Sequence, residues 1–203
     1  MMIKDREHYW DEDFSGMRLS MTSLTGCVFQ NCNFKNAYMH ELATKSCQFI
    51  NCDFTATELN ASHHHYSAFT NCKFRFSNLF STKFQDCKMT GSNFIETNIS
   101  GITIIAGDWS YVHMNGCYFK GLDLRQVNFK QANLFKANLE KADLREADFT
   151  QAILSGASLK GADLRGAKID GVDVKALDFN KTKIDLSQAV IIAEAYGAVY
   201  EEG

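Results

Sequence analysis

Large apolar residues return at every fifth position of this chain. In FKQANLFKANLEKADLREADF, residues 129–149, they are Phe129, Leu134, Leu139, Leu144 and Phe149. Two places before each stands a smaller residue: Val127, Ala132, Ala137, Ala142 and Ala147. An α-helix repeats its face every 3.6 residues and a strand every two, so a period of five belongs to neither. From Phe14 to Ile184 the series has thirty-five positions, and thirty-three hold Leu, Phe, Ile, Met, Val or Trp; Thr44 and His64 are the exceptions. Tyr9 fits as an earlier member. The phase is never lost, which leaves no room for a net insertion. The position two places earlier is dominated by Ala, Cys, Ser, Thr and Val, and the other three of each five are mostly polar. Each unit therefore turns one large and one small side chain inward, and the repeat decides the fold.

The stretches ANLFKANLEKADLREADF and ASLKGADLRGA carry an A(D/N)LXX signature that resembles the pentapeptide repeat proteins. The resemblance spans residues 12–184. It implies an all-β fold, a right-handed quadrilateral parallel β-helix in which four fives make one square coil of 20 residues. About nine coils are then expected, forming a rod roughly 42 Å long at the usual strand spacing. Positions 20 apart should stack. One inner column would run Phe14, Phe34, Phe54, Phe74, Phe94, Met114, and its neighbour Phe29, Phe49, Phe69, Met89, Trp109, Phe129. Thirteen of the sixteen phenylalanines occupy inward slots, so the N-terminal half should have an aromatic core and the C-terminal half a leaner leucine core. Three segments follow: an N-terminal cap (1–11), the β-helix (12–184) and a C-terminal helical segment (185–203).

Composition agrees with that reading. The absence of proline suits a run of short strands. The charged start MMIKDREHYWDED does not read as a signal peptide, and no apolar run approaches the 18 or so residues of a membrane span. A cytoplasmic protein without membrane contact is expected. All seven cysteines, from Cys27 to Cys117, fall in the small inward slot. Parallel stacking holds their Cβ atoms about 4.8 Å apart, beyond the usual disulfide range, so they read as core fillers. No CxxC pair suggests zinc. In SHHHY, residues 62–66, His64 points inward while His63 and His65 point outward on either side, so the three should not meet at one ion. Instead His64 should find a hydrogen bond to Thr44, one coil below, to Ser62 or to a backbone group, the alternative being a local bulge that turns it outward. Gly107, the small slot beside Trp109, reads as volume compensation for the indole.

No nucleophile–base motif, phosphate loop or dinucleotide fingerprint appears, and no enzyme activity, metal or cofactor is expected. Asp123, Asp143 and Asp163 form one outward column flanked by Arg125, Arg145 and Arg165. It reads as turn hydrogen bonding with exposed ion pairs, or as part of a partner-binding face. A basic run, Lys73, Arg75, Lys83 and Lys88, is too small in a chain of net charge −3 to predict direct nucleic-acid binding. After Ile184 the five-count stops. DLSQAVIIAEAYGAVY, residues 185–200, predicts a helix capped by Asp185 with Gln188 as its capping-box partner. Its apolar residues Val190, Ile191, Ile192, Ala195, Tyr196 and Val199 run nearly all round it. One side could seal the last coil, and the rest predicts a two-fold homodimer.

This tail, KIDLSQAVIIAEAYGAV, resembles the terminal segment of the Qnr and MfpA group of pentapeptide repeat proteins. The resemblance implies end-to-end dimers that imitate B-DNA, occupy the DNA-binding saddle of gyrase or topoisomerase IV, and relieve quinolone poisoning. A structural or adaptor β-helix for another protein partner, using outward aromatics such as Phe76, Phe80, Tyr118 and Phe135, is the alternative.

Overall fold

The computed structural model describes residues 3–201. Residues 1–2 of the expected cap and 202–203 of the expected C-terminal segment lie outside the described residues. The chain winds as a parallel β-solenoid with four faces. Every inter-coil pairing is parallel and offset by 20 residues, as in the column of single bridges that runs Asp13, Asn33, Asp53, Lys73, Asn93, His113, Asn133, Ile153.

Full strands occupy only part of this frame. On one face β1 (His8–Trp10), β3 (Val28–Gln30), β5 (Gln48–Ile50) and β7 (Ala68–Thr70) stack in order. On another, β2 (Ser23–Thr25), β4 (Ala43–Lys45), β6 (His63–His65), β8 (Lys83–Gln85) and β9 (Thr103–Ile105) make five levels. Elsewhere isolated bridges hold the coils, so the strand-bearing part is shorter than the nine uniform coils expected. Tyr9 pairs with Phe29 and is buried, so the inward column begins there.

Two local devices explain the composition of the repeat. The Asn or Asp before each inward residue folds back onto the chain. Asn33 Oδ1 accepts the Lys35 amide at 3.1 Å, and Asp53, Asn93, Asn138 and Asp148 make the same bond two residues on. These Asx turns lock the start of each corner. In the small slot, many of the Cys, Ser and Thr residues place a donor against the carbonyl 23 residues earlier. Cys52 Sγ–H donates to Phe29 O at 3.4 Å, Cys72 to Phe49 O at 3.3 Å, Thr57 to Phe34 O at 2.8 Å and Ser92 to Phe69 O at 2.7 Å. A small polar tip thus satisfies a buried carbonyl lone pair without adding volume, which alanine cannot do. Burial pushes the thiols of Cys32 and Cys87 up to about 11 and that of Cys117 to about 12, far from the reactive range.

Every corner from Arg6 to Gly171, at five-residue spacing, lies in the left-handed region. Most corner residues are not glycine, and each L side chain there carries about 1–2 kcal/mol of strain. Ala61, at φ 56°, has no side-chain polar group to offset it. Ala61→Gly should therefore stabilise the fold by roughly 1 kcal/mol, a rise of about 2–4 °C in Tm by differential scanning fluorimetry. The corner at 176 departs from the rule. Residues Val174–Ala176 form a 3-10 turn that interrupts the coil locally, and the pairing resumes beyond it at Asp178 and Lys183.

The core is a ladder of rings. Phe34 and Phe54 stack at 4.9 Å with 3° between planes, and Phe29 and Phe49 at 4.8 Å with 5°. Adjacent columns meet edge to face, as Phe29 does with Phe34. Stacking at the coil rise lets a face-on offset arrangement repeat at each level. The regular series ends at Trp109, which lies across Phe84 at 86°.

His64 is buried, and both ring nitrogens are engaged: Nδ1 lies 2.8 Å from Thr44 Oγ1 and Nε2 3.0 Å from Ser62 Oγ. Ser62 in turn donates to Leu59 O. The two partners named from the sequence both take part. His63 and His65 flank it on the outside, and among the described residues no His, Cys, Asp or Glu cluster has metal-binding geometry.

Gly107 needs a different explanation from the one its position beside Trp109 suggested. A Cβ there would land on the backbone O and N of Cys87, one level below, and its φ is +96°. The constraint is close approach of two backbones, not room for the indole.

Candidate functional site

The Asp–Arg column is self-paired. Arg125 grips Asp123 with Nε–Oδ1 2.8 Å and Nη2–Oδ2 2.6 Å, and Arg145–Asp143 and Arg165–Asp163 repeat this bidentate geometry at 2.9 and 2.7 Å. Each aspartate also accepts its own arginine's amide. The arginine hydrogen bond is the largest influence holding the three carboxyls below their ordinary range, to about 2 for Asp163. The structure thus brings all six residues onto one face as neutral pairs. The Nε–Nη2 edge of each guanidinium is taken up by its own aspartate, which leaves no line of unpaired negative charge.

The C-terminal helix α1 spans Leu186–Ala195, shorter than the 185–200 expected. Its capping box forms: Asp185 accepts from the Gln188 amide, and the Gln188 side chain accepts from the Asp185 amide. Asp185 also accepts from the Gly166 amide, tying the helix start to the coil. Gln188 does more than the sequence suggested. Its side chain is 1% exposed, and Nε2 donates to Leu164 O and Ala167 O. It closes carbonyls that have no further coil to pair with, which a cap must do.

The six apolar residues proposed for a dimer divide between two sides. Ile191, Ile192 and Ala195 pack on the core. Val190 is half-buried, whereas Tyr196 (68%) and Val199 (83%) are exposed. Leu186 (69%) and Tyr200 join this exposed set, and neither was singled out in the sequence. Lys175 Nζ lies 5.7 Å from the Tyr196 ring centroid, which places that ring beside the 3-10 turn. No helix among the described residues is long and apolar enough to cross a membrane.

Comparison with known proteins places the chain. The family model described as pentapeptide repeats matches residues 13–41, 65–95, 72–103, 113–151 and 142–180. No curated protein matches the sequence. Among solved structures, a trypsin-treated variant of QnrB1, described as a plasmid-mediated fluoroquinolone resistance protein, is similar with a TM-score of 0.83 at 19% identity, covering 96% of this chain and 100% of that one. Full-length QnrB1 gives 0.81 at 18% identity over 96% and 99%. HetL, a pentapeptide repeat protein involved in heterocyst differentiation regulation from the cyanobacterium Nostoc, gives 0.52 at 16% identity over 88% and 86%. At these identities the likeness is one of fold. With the repeat visible in sequence, coil and family match alike, this chain belongs to the pentapeptide repeat family.

Proposed function

We propose that the chain is a non-catalytic, Qnr-like binding protein that dimerises through its C-terminal helix and engages DNA gyrase or topoisomerase IV as a DNA mimic, protecting it from fluoroquinolones. The observation that carries this reading is the end-to-end likeness to QnrB1. The apolar surface left open at Leu186, Tyr196 and Val199 supports the dimer. Gyrase supercoiling with the purified protein, with and without ciprofloxacin, tests it. Inhibition at micromolar protein, or rescue from the drug, is expected. Tyr196→Glu combined with Val199→Glu should give a monomer by sedimentation equilibrium, with the solenoid's circular dichroism intact and the gyrase effect lost.

A second reading, an adaptor β-helix for another protein, is favoured by the charge. B-DNA carries one negative charge per about 1.7 Å. This chain has a net charge of −3, and its most regular acidic column is neutralised by its own arginines. A folded dimer without effect on gyrase, with or without drug, would select this reading.

A further inference from the structure

The five-count is unbroken, but the hydrogen-bond ladder is not. On two faces the coils around residues 92–114 and 107–133 join normally: Phe94 N–H donates to His113 O at 2.8 Å and Trp109 N–H to Asn128 O at 2.8 Å. On the other two faces no backbone bond links 95–106 to 115–126 among the described residues. The levels on either side keep theirs, with Leu79 N–H donating to Asn98 O below and Phe119 N–H to Asn138 O above. Thr103 pairs with Lys83, and Asp123 with Asp143, but not with each other. The lower lip thus leaves the amides of Ile99, Gly101, Ile104 and Ala106 without their ladder partners, and the upper lip those of Tyr118 and Asp123.

The side chains account for the opening. Ile102 and Leu122 are stacked neighbours in the small inward slot, where the same column holds Thr82 and Ala142 on either side. Two bulky residues on consecutive levels prop the coils apart. Cavities of about 590 and 440 Å³ fill the gap, one lined by residues 96–101 with 115–118, the other by 103–106 with 123–126.

We propose that this cleft is a docking site for one extended, uncharged peptide segment of a partner protein, which enters as a strand and completes the interrupted ladder. The argument for a peptide lies in the spacing of what is unpaired. Along the lower lip the unpaired amides stand two residues apart, Ile99 with Gly101 and Ile104 with Ala106, which is the repeat of a strand edge, and another backbone matches that repeat. Asn115 Oδ1 is buried at one cavity with no partner and can accept a further N–H. On the upper lip Gly116 and Gly121 face open space where a Cβ would stand, which lets a second backbone approach. Tyr118, which is exposed, borders the cleft and supplies contact area. Most of its rim charges are already paired, Lys120 with Glu140, Arg125 with Asp123, Arg145 with Asp143 and Glu96 with Arg75, which disfavours a highly charged segment. The lips span about ten residues with one corner at Gly101, so the occupant is an extended segment of about that length, bent once.

Amide hydrogen exchange on the full chain, followed by a peptide probe, tests the site independently of any topoisomerase. In the free protein the amides of Ile99, Gly101, Ile104, Ala106, Tyr118 and Asp123 should exchange at least about a hundredfold faster than those of Leu79 and Phe119. The best binder from a phage-displayed library of about ten-residue peptides, resynthesised, should slow those six amides by at least about tenfold. Methylating its alternate backbone nitrogens should weaken it by at least about tenfold. Slow exchange of the six amides in the free protein, no binder from the library, protection elsewhere, or indifference to methylation would each overturn the proposal.

Discussion

Lowering the pH from 7 to 4.5 will destabilise the fold by about 3 kcal/mol, and His64→Phe will remove most of that loss. Burial pushes the His64 imidazole down to about 3, from an ordinary value near 6.5, and neighbouring His63 adds a smaller push. In the folded state the ring stays neutral, one nitrogen accepting and the other donating between Thr44 and Ser62. The unfolded chain takes up a proton below about 6.5 while the folded chain does not until about 3. The unfolded state therefore binds more protons across that window, and stability falls as the pH drops through it. The aspartates held low by their turns act in a lower range: their stabilisation is present above about 4 and is lost below it. Urea midpoints measured between pH 7 and 4.5 thus report chiefly the histidine, with a smaller share from Glu140, whose carboxyl Lys120 holds low. In His64→Phe the ring would still stack on Phe84, Ser62 would still donate to Leu59 O, and Thr44 would keep Ser67. A wild-type midpoint that does not move over this range would show that the histidine is not buried neutral.

Gly107→Val will cost roughly 3–5 kcal/mol, and Gly107→Ala most of the same. The left-handed backbone at φ +96° strains any L side chain, most of all a β-branched one. The added Cβ also strikes the Cys87 backbone, and backbone cannot rotate away as a side-chain tip can. The bonds at risk are the Asp108 amide to Cys87 O and the Asn128 amide to Gly107 O, which hold one of the two faces that still join the coils beside the cleft. The indole of Trp109 is packed here with its N–H unpartnered, so the region has little reserve. Urea unfolding followed by Trp109 fluorescence reads the loss directly. A midpoint unchanged in the alanine variant would contradict this account.

How far the structure could be read from the residues depends on which physical constraint was at work. The inward positions follow from the period of five, which decides burial; the stacked phenylalanines and the contact of His64 with Thr44 follow from the twenty-residue coil that the family resemblance implies. The left-handed corners did not show, because Asn, Lys, Tyr and Met all occupy them and none marks that conformation as glycine would. The cysteine-to-carbonyl bonds were hidden behind the hydrophobic character of the thiol. The cleft escaped because periodicity records where side chains point, not whether adjacent backbones remain in register. Its signal was Ile102 above Thr82 and below Leu122, a volume argument along one column and not along the chain. The reach of Gln188 onto Leu164 and Ala167 could not be seen in a local capping pattern, since it depends on how the helix folds back over the last coil.

Five residues make one side of this solenoid and twenty make one turn, so length and direction are set by different units. Removing twenty residues would shorten the rod and leave every surface facing as before. Removing five would preserve the inward pattern yet rotate everything downstream by a quarter turn, carrying the Asp143 and Asp163 pairs round to the next side relative to the N-terminal half. Small in-phase gains and losses are thus a means of re-aiming one end of the molecule against the other while the interior hardly notices. Two related chains could share their whole core and present different combinations of surfaces to the same partner.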